Sequence, residues 1–85
     1  MKVKVLFFAA LREELGTAGE ELELPAGVDT VAALRNHLMA RGAPYEKALG
    51  GKKLVRIAVN RDMVPLTAPV RAGDEVAFFP PVTGG

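Results

Sequence analysis

The sequence predicts a small α+β domain, with a sheet of about five strands and one main helix across one face. Three observations predict it. Two stretches near the ends, Lys2 to Phe8 and Glu75 to Phe79, carry β-branched and aromatic residues at period two. Between them Val31, Leu34 and Leu38 form a single apolar stripe at helical spacing, widened by Met39. One long helix covers only one face of a sheet, which is the layering of α+β folds.

Taken in order, the first strand places Val3, Val5 and Phe7 on one side. Lys2, Lys4, Leu6 and Phe8 lie on the other, so that second face is partly covered near the strand's end. Ala9 to Leu15 holds helix formers, with Leu11 and Leu15 four apart and Gly16 where a C-cap glycine sits. Glu20 to Leu24 alternates acidic and apolar residues, and predicts a strand returning antiparallel to the first. Pro25-Ala26-Gly27 turns the chain.

Asp29 and Thr30 are both good N-caps for the main helix, which Arg41 and Gly42 close. Pro44 to Leu49 adds one further turn, and Gly50-Gly51-Lys52-Lys53 reverses direction. Leu54 to Asn60 is a strand with Val55, Ile57 and Val59 facing one way. Asn60 to Met63 reads as a turn, and Val64-Pro65-Leu66 as a brief edge strand, since sheets confine proline to their edges. In the last strand, Val76 and Phe78 face opposite to Ala77 and Phe79. The predicted core is Val3, Val5, Phe7, Val31, Leu34, Leu38, Val55, Ile57, Val59, Val76 and Phe78. The first and last strands are both strongly apolar, so they are expected in the centre of the sheet, side by side.

Composition narrows the function. A net charge of +1 gives no electrostatic footing for nucleic acid or an anionic membrane. The longest apolar run, Val5 to Leu11, is too short to span a bilayer. The start, Met1-Lys2-Val3-Lys4, leads straight into a strand without a small-residue cleavage site, which predicts a mature cytoplasmic protein. With no cysteine and one histidine, His37, there is no disulfide, thiolate site or multi-histidine metal cluster. His37 falls opposite the apolar stripe and is expected in solvent. Glu13 and Glu14, adjacent on a helix, are not a paired acid–base site. Gly50-Gly51 lacks the spacing of a phosphate loop.

The stretch that asks for explanation is the end: Val76-Ala77-Phe78-Phe79-Pro80-Pro81-Val82-Thr83-Gly84-Gly85. Each proline fixes its own φ and pushes the residue before it into an extended conformation. Phe79 and Pro80 are therefore extended, and the chain leaves the domain as a stiff arm. Two readings of the diglycine stand on the residues alone. One is an idle, frayed end. The other is a thin thread that carries its terminal carboxylate into a narrow pocket of another protein, where glycine's missing Cβ gives clearance. Phe79 likewise has two readings, contact with a partner or packing against Phe8 or Leu6.

A strand pair, a crossing helix, further strands and a diglycine end together resemble the ubiquitin-like β-grasp fold, a mixed sheet with its main helix on one face. Three stretches carry a closer resemblance. They are Val3 to Ala9 with Leu11 to Leu15, Thr30 to Arg35, and above all Gly73 to Gly85, whose strand, two prolines and diglycine fall at characteristic spacing. They are similar to the MoaD/ThiS sulfur carriers, the group that includes molybdopterin synthase small subunits. The resemblance implies one domain over 1–79 and an extended tail over 80–85. It implies that Gly85 is adenylated by a partner similar to ubiquitin-activating enzymes, which uses ATP. A persulfide donor then converts Gly85 to a thiocarboxylate. Phe79, Pro80, Pro81, Val82, Thr83 and Gly84 form the arm that inserts into the large synthase subunit, in a heterotetramer of two small and two large subunits. There sulfur passes to a cyclic pyranopterin precursor. The chain itself binds no cofactor or metal, and catalytic side chains belong to the large subunit. The alternatives are a carrier for thiamine or cysteine biosynthesis, a ubiquitin-like protein modifier, and a binding module without terminal chemistry.

Overall fold

A computed structural model describes residues 1–50 and 55–80. The elements run β1 (Lys2–Phe7), α1 (Ala10–Leu15), β2 (Gly19–Glu23), α2 (Val31–Met39), α3 (Ala43–Leu49), β3 (Arg56–Val59), β4 (Asp62–Met63) and β5 (Glu75–Phe79). The strands form one mixed sheet in the order β2-β1-β5-β3-β4. β1 and β5 lie side by side and parallel, as their apolar character predicts, and the other pairs are antiparallel. This is the β-grasp arrangement. No helix among the described residues is long and apolar enough to cross a membrane.

Register explains why one face becomes the core. Val5 pairs with Val76 and Phe7 with Phe78 across the parallel seam. Ile57 and Val59 continue those rows on β3. Val31, Leu34 and Leu38 of α2 close over them, and all three are fully buried. Burying each such side chain stabilises the fold by roughly 1.5–3 kcal/mol. Leu11, Leu22, Leu24, Ala48, Leu49 and Val70 complete the core. Val55 and Val59, expected inside, are only partly buried: Val55 stands just before β3 and Val59 at its end, while Ile57 between them is buried.

Five local expectations are corrected. Thr30, not Asp29, caps α2: its Oγ1 accepts from the Ala33 N–H at 3.1 Å. Asp29 instead offers its backbone carbonyl to Val70 at 2.9 Å. Gly42 does not close α2, which ends at Ala40 in right-handed geometry, but opens α3. That helix runs seven residues rather than one turn, because Ala48 and Leu49 have core to bury. The edge strand is Asp62–Met63, not Val64-Pro65-Leu66. Asn60 and Arg61 both take positive φ, 50° and 72°, a two-residue turn that pairs the chain with β3 at once. Pairing fades at Pro65, which lacks an N–H. The carbonyls of Leu66 and Ala68 then serve α2, accepting from Ala32 and Val31 at 2.9 Å each. They satisfy N–H groups that a helix start leaves open. Finally, His37 is half-buried on α2 rather than fully in solvent. The turn expected at Gly50-Gly51-Lys52-Lys53, and Leu54, lie outside the described residues except for Gly50, which ends α3.

Two backbone positions are under steric constraint. An added Cβ on Gly19 would stand 2.2 Å from the Val5 carbonyl oxygen, so β2 enters the sheet only through glycine there. Ala9, between β1 and α1, holds φ 52° and ψ −128°, a conformation suited to glycine. Gly19→Ala is expected to destabilise by about 3 kcal/mol. Ala9→Gly is expected to stabilise by about 1 kcal/mol, the relieved strain exceeding glycine's added freedom in the unfolded chain. Urea unfolding of both variants, followed by circular dichroism, checks the two opposite signs.

Candidate functional site

β5 is the central strand, and its last residue leads directly into Pro80 at the end of the sheet. The tail residues Pro81, Val82, Thr83, Gly84 and Gly85 lie outside the described residues. The described part of the site is the base to which they are joined.

Parallel pairing of Leu6 with Ala77 and Phe7 with Phe78 brings Phe8 beside Phe79. Their rings stack at 4.8 Å between centroids and 5° between planes. The two readings of Phe79 thus meet in one geometry. It packs against Phe8, yet does so on the sheet face opposite the helices, where Phe8 stays 42% exposed. Met63 joins this face at 53% exposure, in register with Ala58, which pairs in turn with Ala77. Leu6 is half-buried beside them. Arg56, Met63, Phe79 and Pro80 line a shallow depression of about 250 Å³. An apolar patch around the exit of an extended chain has the character of an interaction surface.

The opposite end of β5 is pinned. Asp74 accepts from Asn60 Nδ2 at 3.0 Å and from the Arg71 N–H at 2.8 Å. Asn60 Oδ1 accepts from the Glu75 N–H at 3.0 Å, and the Asp74 carbonyl accepts from the Lys4 N–H at 2.9 Å. These bonds fix where β5 begins, and through five residues of strand they fix where the tail begins.

Among the described residues, no group of three or more His, Cys, Asp or Glu could hold a metal ion. His37 sits on α2, on the helical side of the sheet, away from the aromatic face. Lys52 and Lys53 lie outside the described residues. Of the residues singled out in the sequence, the structure brings Phe79 and Pro80 together. It adds Phe8, Met63 and Arg56, which were not singled out as site residues. Apolar Leu6 and Phe8 on the strand's second face were the available signal for the first. Met63 and Arg56 become neighbours of Phe79 only through strand order.

The described site thus offers a scaffold, an apolar face and a departing strand. The molybdopterin synthase sulfur carrier subunit of Escherichia coli (strain K12) is 49% identical over 83 residues, covering 98% of this chain and 99% of the relative. Small archaeal modifier protein 1 of Haloferax volcanii has a crystal structure that matches with a TM-score of 0.80 at 26% identity, covering 95% of this chain and 98% of that one. A chain of the complex of subunits 1 and 2 of molybdopterin-converting factor from Helicobacter pylori 26695 matches with a TM-score of 0.69 at 26% identity, over the full length of both. The sequence pattern of the ThiS family matches residues 5–85 of this chain, which therefore belongs to that family.

Proposed function

We propose that this chain is a sulfur carrier of molybdenum cofactor biosynthesis, acting as the small subunit of molybdopterin synthase. The observation that carries this reading is full-length similarity to relatives named for that role. The exposed Phe8–Phe79 face at the base of the tail supports it, because it is where a large subunit would seat.

The chemistry starts from the weakness of a carboxylate as an electrophile. Its leaving group would be oxide. Attack of the Gly85 carboxylate oxygen on the α-phosphate of ATP releases pyrophosphate and gives an acyl-adenylate, on an adenylating partner. The outer sulfur of a persulfide displaces AMP. A thiol then cleaves the S–S bond and leaves the thiocarboxylate on Gly85. The carrier docks on the large subunit, and the arm from Phe79 through Pro80, Pro81, Val82, Thr83 and Gly84 delivers the sulfur to a cyclic pyranopterin. A dithiolene requires two such deliveries. Positioning is this chain's contribution, in the sense that docking replaces a bimolecular encounter by an oriented one. Side chains that move protons belong to the large subunit.

Similarity to an archaeal modifier protein supports a second reading, in which the activated Gly85 is joined to lysines of other proteins. Activation is common to both, so the fate of the acyl group separates them.

Intact mass after incubation with ATP, the adenylating enzyme and a sulfur donor is the direct test. A gain equal to one oxygen replaced by one sulfur is expected, and a variant with one residue added after Gly85 should show none. An unchanged mass with an enzyme active on a control carrier would overturn the sulfur reading. Docking is tested separately by Met63→Asp. It should weaken binding to the large subunit by about tenfold or more while leaving the thermal midpoint near wild type, since Met63 is half in solvent.

A further inference from the structure

Among the described residues, the strands carry three cations on the open face of the sheet, and only one of them lacks an acidic neighbour in register. Lys2 is in register with Glu23. Lys4 lies between Glu21 on β2 and Glu75 on β5. Arg56 is in register with Phe79, and the next residue on its face, Ala58, stands between Ala77 and Met63. Its surroundings in the depression are Met63, Phe79 and Pro80. Among the described residues, Arg56 makes no ion pair and its side chain no hydrogen bond.

In the free chain this costs nothing, because Arg56 is exposed and water solvates it. In a complex the cost changes. A surface that covers Phe79 and Met63 also covers the guanidinium beside them. Burying one member of an ion pair without the other is strongly unfavourable. The planar fork of arginine is matched best by a carboxylate, through two parallel N–H···O bonds. The apolar rim would keep water from that bond.

We propose that Arg56 is a specificity-determining residue of the docking face, paired with an Asp or Glu side chain of the large synthase subunit. This rests on the docking reading given above. Apolar contact is non-directional, so the Phe8–Phe79–Met63 patch alone leaves the carrier free to rotate on its partner. A charge pair beside Pro80 removes that freedom and sets the angle at which the tail enters. Partners without the carboxylate are rejected by the unpaired cation.

The test is the affinity of Arg56→Lys, Arg56→Gln and Arg56→Glu for the large subunit from the same source, at low and high salt, with thermal midpoints as a folding control. Arg56→Gln is expected to weaken binding about thirtyfold or more, as truncating one partner of a desolvated charge pair does, and to flatten the salt dependence. Arg56→Lys should fall between wild type and Arg56→Gln, and Arg56→Glu should bind worst. Exchange of Asp and Glu residues on the large subunit's surface for Lys should find one position that restores Arg56→Glu. Wild-type affinity and salt dependence in Arg56→Gln and Arg56→Glu would overturn the inference. So would a loss of affinity in Arg56→Gln with the salt dependence intact, which would make Arg56 a packing residue. Failure of the wild-type chain to bind, or undiminished binding by Met63→Asp, would overturn the docking reading instead.

Discussion

The parallel pairing of β1 with β5 is the constraint on which the rest of the structure depends. Parallel neighbours cannot be joined by a tight turn, so the chain between them must travel over the sheet and return. That intervening chain supplies the three helices and the other three strands of the described residues. The same pairing aligns Val5 with Val76 and Phe7 with Phe78, which builds the floor of the core. It also puts Phe8 beside Phe79, which builds the open face. One register therefore fixes both sides of the sheet, and a slip by one residue would exchange them.

The two faces divide the labour between stability and recognition. The helical side is sealed by aliphatic and aromatic side chains. The open side keeps its large apolar groups at the end where the chain departs, and its balanced charges toward β2. Ala58 and Ala77 are buried there without helices above them, covered by their taller neighbours. Small residues at the centre and large ones around them leave a shallow surface that a partner can fill. The Asn60–Asp74 bonds hold the far end of β5, so a load on the tail is taken up by the strand rather than by a loop.

Most of the fold was legible because its signals are local. Period-two patterning identified β1, β2 and β5, and the spacing of Val31, Leu34 and Leu38 identified α2. What was misread depended on contacts distant in sequence. Thr30 and Asp29 are equivalent as caps until Val70 claims the Asp29 carbonyl. The residues after Asn60 look like a turn followed by a strand. Only the sheet shows that two left-handed residues suffice and that the following carbonyls belong to α2. Of the site, the aromatic at the tail's base and its packing on Phe8 were legible, and its neighbours Met63 and Arg56 were not, since strand order is not written in any single segment.

No polar or charged residue among those described is buried. Glu23, an exposed carboxylate, is held below its ordinary range chiefly by a hydrogen bond from, and the charge of, the Met1 ammonium. Its contribution is present at neutral pH and fades only as the solution turns acid. The described core thus holds no ionisable group, so the change of charge that the proposed carboxylate, acyl-adenylate and thiocarboxylate forms of Gly85 would bring meets no buried charge in the scaffold that presents it.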